Sequence, residues 1–102
     1  MSAAQLAPDP GTETLLRTRL ATLDPVQIEL YDESREHIGH ASARDGGGHY
    51  QLTIVSERFV GHSPLARHRM VYQAIGDLIP ARVHALSISA YTPEEMTAAF
   101  QR

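Results

Sequence analysis

Two stretches of strict alternation constrain this chain more than anything else in it. In "VQIELYD", residues 26–32, Val26, Ile28 and Leu30 point one way and Gln27, Glu29 and Tyr31 the other. In "HYQLTIVS", residues 49–56, Tyr50, Leu52 and Ile54 form a second apolar row. A period of two is the mark of a strand with one face buried and one face wet. Each stretch therefore needs a neighbouring strand and an apolar cover on one side only. The run between them, "ESREHIGHASARDGGG", has no period, and its three glycines at 46–48 favour a mobile loop. Loops of that length in compact domains are usually functional or disordered. The two strands are expected to pair antiparallel across it.

Helical signals supply the cover. Leu15, Leu16, Leu20 and Leu23 recur at helical spacing after Thr12, a candidate N-cap, and Asp24-Pro25 ends the pattern, which gives a helix over 12–23. Ser63-Pro64 reads as an N-cap followed by proline at the first helical position. Leu65, His68, Tyr72, Ile75 and Ile79 continue from it, which predicts a helix over 64–79 stopped by Pro80. "RVHALSISAY", residues 82–91, is a third strand. "TPEE", residues 92–95, opens a last helix, with Thr92 and Glu95 spaced as a capping box. The order is α-β-β-α-β-α. A helical crossover between the second and third strands allows them to run parallel. The fold class is α+β, a three-stranded mixed sheet with helices packed on one face. Residues 1–10, with two prolines and no apolar period, read as a flexible tail, and 11–102 as one domain.

Composition removes several classes of function. The chain has 102 residues and no cysteine, so disulfides and thiol catalysis are excluded. Its formal charge is −3 and all its basic residues are arginine, which argues against strong general binding to nucleic acid. No apolar run approaches the ~20 residues that cross a bilayer. The opening "MSAAQLAPDP" lacks a basic region followed by an apolar one, so the cytoplasm is the expected compartment. Nothing resembles a nucleophile elbow, a placed pair of carboxylates or a phosphate loop, and the chain is not expected to be an enzyme.

Histidines then become the residues of interest. His84 falls in the third strand, where parity groups it with Leu86 and Ile88 and predicts a place at the rim of the core. On pattern alone it is most simply a structural histidine bonded to a backbone carbonyl. His37 and His40 lie in the long loop as "HIGH", a spacing that is common and weak for metal binding. His49 opens the second strand on the parity opposite to Tyr50. His62 reads as a solvated turn residue. His68 lies between Arg67 and Arg69 on the long helix, and these three could form a basic patch, with Arg82 a further candidate, near a helix start that favours phosphate.

The segments "IVSERFVGHSPLARHRMVYQAIGDL" and "VHALSISAYTPEE" resemble the BolA family, most densely in "RHRMVY" and "VHALSI". The resemblance runs from about residue 12 to 98. It implies a fold like the class II KH domain. It also implies a partner, a monothiol glutaredoxin, with which BolA-like proteins hold a bridging 2Fe–2S cluster in iron–sulfur trafficking and iron homeostasis. His84 matches the family's cluster-ligating histidine. The second ligand, His or Cys in the family, comes from the long loop; here it would be His40, with His37 close behind. His49 could support a ligand from behind. Glutaredoxin and its glutathione would supply the remaining ligands, and the isolated chain is expected to be a cofactor-free monomer. Arg67, His68 and Arg69 are the expected partner-binding residues. Some family members are described as DNA-binding transcription regulators, so DNA is the alternative partner of the same Arg67–Arg69 segment. The Gly-x-x-Gly loop with which KH domains clamp RNA is not seen.

Overall fold

The structure, a computed structural model, describes residues 11–33 and 48–100. Helix α1 spans Thr12–Leu20 and tightens into a 3-10 turn at Ala21–Leu23. Strand β1 is Gln27–Asp32 and β2 is Gly48–Val55. Helix α2 is Pro64–Ile75, β3 is Val83–Tyr91 and α3 is Pro93–Phe100. The sheet order is β1-β2-β3. β1 pairs antiparallel with β2, setting Ile28 against Ile54 and Leu30 against Leu52. β3 pairs parallel with β2, setting Tyr50 against Leu86, Leu52 against Ile88 and Ile54 against Ala90. The apolar rows read from the sequence thus form one face, except that Val26 precedes β1 and is exposed. α1 and α2 cover it with Leu16, Leu20, Val71 and Ile75, all fully buried beside Phe59 and Ile54. The α+β architecture and its mixed sheet are as expected.

Local chemistry explains where each element stops. Asp24 takes a left-handed conformation, φ 51°, just before Pro25, and closes the first helical segment. The N-cap of α1 is Gly11 rather than Thr12, which occupies the first helical position. Ser63 caps α2, its Oγ accepting from Ala66 N at 3.1 Å. α2 ends at Ile75, earlier than expected, because Gly76 adopts φ 61° and leaves the helix before Pro80 is reached. A short helical turn over Leu78–Ala81, with Ile79 extended inside it, completes the crossover. Arg19 ties the break to α1: its Nη1 donates to Ile75 O at 2.6 Å and its Nη2 to Asp77 Oδ1 at 3.1 Å. That carbonyl is among those a helix C-terminus leaves without an internal partner.

α2 is also rotated from the stripe drawn on its sequence. Leu65 is 61% exposed and Tyr72 45%, while Arg67, Val71 and Ile75 face inward. Positions 67, 71 and 75 are spaced four apart and form an equally good stripe. Apolarity alone favoured the other one because it rejects an arginine from a core.

Candidate functional site

His84 owes its position to an irregularity in the β2–β3 ladder. Gly48 pairs with Val83, but the next residue, His49, pairs with Ala85. His84 is the extra residue of a bulge. The bulge shifts the strand's parity by one. Val83 is fully buried, Leu86 and Ile88 remain on the core side, and His84 and Ala85 are both exposed. Regular alternation, which placed His84 at the rim of the core, is therefore corrected: the imidazole projects into solvent. Its neighbour there is His49, half-buried on β2. The two rings stack with centroids 5.3 Å apart and planes within 16°. His37 and His40 lie outside the described residues. Among the described residues no group of three or more His, Cys, Asp or Glu is placed to hold a metal ion.

The Arg67–His68–Arg69 segment divides. Arg67 is only 9% exposed. Its Nε donates to His62 O at 2.9 Å and its Nη1 to Ala90 O at 3.1 Å. The same guanidinium grips Glu95 of α3 with both ends, Nη1 to Oε1 at 2.7 Å and Nη2 to Oε2 at 3.1 Å. Phe59 lies beneath it, 6.0 Å from ring centroid to guanidinium carbon. Burying a guanidinium demands such compensation. Glu95 is shared with the expected capping box: Thr92 N donates to its Oε1 at 3.0 Å, and Glu95 N donates to Thr92 Oγ1 at 3.1 Å. The Arg67 bond, then the Thr92 N–H, hold the Glu95 carboxyl down at about 2. Arg67 is thus a structural anchor, and of the three residues only Arg69 is fully at the surface, with His68 half-buried. His68 and Pro64 border a groove of about 430 Å³ against Ile88, Ala90, Tyr91 and Glu95.

The two regions sit at opposite ends of β3. From His84 to Ala90 is roughly 20 Å at 3.3 Å per strand residue. Nothing in the sequence announced Glu95 as Arg67's partner, since the two belong to different elements. The bulge did have a signal. "VHAL" sets apolar Val83 and Leu86 three apart, a spacing that no regular strand can bury on one face.

The profile described as BolA-like protein matches residues 20–95. The chain belongs to the BolA family. Mouse BolA-like protein 1 is 40% identical over 95 residues, 92% of this chain and 66% of that protein. Its solution structure superposes with a TM-score of 0.73 at 37% identity, over 94% of this chain and 76% of that one. SufE-like protein 1 of Arabidopsis thaliana, named chloroplastic/mitochondrial, is 46% identical over 79 residues, 72% of this chain. The DNA-binding transcriptional regulator BolA of Vibrio cholerae is 40% identical over 72 residues, 71% of this chain and 68% of that protein. This BolA-like chain spans 21% of the plant relative's length and just under two thirds of the mouse relative's. The BolA family is a non-enzymatic one, in keeping with the expectation from the sequence. No helix among the described residues is long and apolar enough to cross a membrane.

Proposed function

We propose that this BolA-like protein is an adaptor that pairs with a monothiol glutaredoxin and lends histidine to a 2Fe–2S cluster bridging the two, in iron–sulfur trafficking or iron regulation. The observation that carries this reading is the outward turn of His84. An imidazole presented to solvent by a bulge, and braced on one side by the ring of His49, can meet an iron held by another protein. Imidazole replaces thiolate on one iron of Rieske-type clusters, and a chain without cysteine has no thiolate of its own to give. Imidazole nitrogen is a donor that suits iron, and this is what the chain would lend to a shared group. His84 would be one ligand and His40, or next His37, the second. A glutaredoxin cysteine and glutathione would supply the thiolates. A 2Fe–2S cluster so held would supply one-electron chemistry at a potential raised by its histidine ligands. We place this activity in the cytoplasm, although plant relatives are named chloroplastic, or chloroplastic and mitochondrial.

The test is to mix the chain with a glutaredoxin carrying a reconstituted cluster, record visible circular dichroism and size the mixture. A heterodimer with an altered spectrum is expected. His84→Ala should change the spectrum while the cluster-free heterodimer persists, and His40→Ala and His37→Ala, made separately, identify the loop ligand. An unchanged spectrum with no heterodimer removes the reading.

The Vibrio cholerae relative's name supports a second reading, a DNA-binding regulator using the start of α2. Against it, Arg67 is committed to Glu95, and the basic patch there loses its buried member. Titration with duplex DNA across a salt series decides the matter, since phosphate contacts strengthen as salt falls. Binding that is undetectable at low salt excludes it.

A further inference from the structure

We infer that Gly48 is the positioning residue for His84: its bare α-carbon, beneath the ring of Tyr50, holds the rung of the ladder that turns the imidazole to solvent. The inference rests on the adaptor reading for what the imidazole then does, and on the ladder for the rest. The sequence places Gly48 in the long loop with the two glycines before it, whereas the structure makes it the first residue of β2. It pairs with Val83, and its N–H donates to Arg82 O at 3.4 Å. One residue later His49 pairs with Ala85. The bulge therefore begins at Gly48, and these two contacts fix where β3 enters the sheet.

Space, not backbone conformation, calls for glycine here. Gly61 and Gly76 have a positive φ and Gly48 does not. Gly48 and Tyr50 are two apart and face the same side of the sheet, and the ring of Tyr50 leans back over its neighbour. A Cβ at position 48 would lie 2.5 Å from Tyr50 Cε2 and 3.3 Å from its Cδ2. Carbon atoms pack best at roughly 3.5–4.0 Å, so either the ring or the strand must give way. The ring is held. Tyr50 is only 7% exposed, between Asp32 on β1 and Leu86 on β3, and its hydroxyl meets the Thr12 side chain at the start of α1. The strand at position 48 is the part that yields.

What the Gly48 rung decides is the parity of β3. Regular pairing carried back from His49 and Ala85 would set His84 opposite Gly48. Leu86 is on the core side, so His84, two residues before it, would turn to the core as well, the place that plain alternation predicts. With Gly48 on Val83 instead, Val83 takes the fully buried position and His84 is the residue left over. A slip of one residue moves a side chain from one face to the other. A side chain at position 48 would push against Tyr50 and loosen the first rung. The ladder without its bulge turns His84 inward, away from an iron held by another protein.

Two signals of His84 test the inference, one of them without iron. In the wild type, nuclear Overhauser effects should join the rings of His49 and His84, whose centroids are 5.3 Å apart. Gly48→Ala should lose them, and its cluster-bearing heterodimer with glutaredoxin should show the changed circular dichroism of His84→Ala. Gly48→Ala with Tyr50→Leu takes away the ring carbon that the new methyl group meets, and should restore both signals. Where Gly48→Ala alone does not fold, the double variant decides. A wild type without the ring-to-ring effects overturns the inference. So does Gly48→Ala with those effects intact, or with a cluster spectrum unchanged where His84→Ala changes it. A double variant that does not regain the ring contact, folded or not, overturns it as well. The ring contact is read without glutaredoxin, so the positioning fails or stands apart from the adaptor reading. A cluster spectrum indifferent to His84→Ala removes the adaptor reading and leaves the positioning in place.

Discussion

At one end of β3, His84 stands on a bulge in solvent with a second imidazole stacked against it. At the other end, Arg67 lies under the strand and holds Ala90 O, His62 O and both oxygens of Glu95. The sequence suggests the reverse, a histidine at the rim of the core and an arginine in a solvated patch. The exchange follows from what each group requires. A guanidinium withdrawn from water needs several acceptors at once, and only a junction of three elements provides them. An imidazole on a bulge makes no such demand, and among the described residues His84 stacks on the ring of His49. The residue that suits outside chemistry is therefore the one the fold does not depend on.

That contrast can be broken most easily at the arginine end. Arg67→Ala removes the donor that serves Ala90 O, His62 O and the Glu95 carboxylate and uncovers Phe59, which is fully buried. The expected loss is roughly 3 kcal/mol, read as a lowered urea midpoint at unchanged slope. A loss under about 0.5 kcal/mol, the range of ordinary surface changes, would show that Arg67 is a surface group after all. Thr92→Ala removes the hydroxyl that accepts from Glu95 N and should cost about 1 kcal/mol. The melting temperature measures it, and an effect as large as that of Arg67→Ala would move the anchor from the guanidinium to the cap.

The Arg67 end should also respond to acid. Glu95 has its carboxyl pulled from 4.5 to about 2 in the folded chain, first by Arg67 and then by the Thr92 N–H. A carboxylate whose folded pKa is depressed contributes stability above its unfolded value. The contribution is whole above about pH 4.5 and fades as the pH falls toward about 2. Denaturation midpoints across that window should decline, and Arg67→Ala should flatten the part of the decline that belongs to Glu95. An identical slope in the variant would mean that Arg67 does not set the carboxyl.

Legibility followed the range of the interactions. Ile28 and Leu30 of β1, the β2 row, the Ser63 cap and the Thr92–Glu95 box follow local patterns and stand where the sequence puts them, whereas Val26, ahead of β1, is 65% exposed. α2 ends a few residues before its sequence period does because Gly76 and Pro80 are both breakers and the first one acts. The buried stripe of α2 differs from the apolar one because its first member is Arg67, whose burial depends on Glu95, 28 positions away. No local period carries that information. The bulge lies between these cases. The spacing of Val83 and Leu86 hinted at it, but only the pairing of Gly48 and His49 shows which residue is extruded. His37 and His40 lie outside the described residues.

The smallest expected effect is the sharpest test of the comparison. His84→Ala should change stability by less than about 0.5 kcal/mol, since it removes an exposed side chain and breaks no ladder bond. What it removes is a ring contact of 5.3 Å with His49, which packing between two partly wetted rings does not make large. Urea titration of the variant without glutaredoxin or iron measures this directly. A loss near that of Arg67→Ala would make His84 part of the framework, and any change in cluster binding could then be read as damage to the fold. A negligible loss leaves the imidazole no structural task, so a changed cluster signal in the same variant would have to come from ligation.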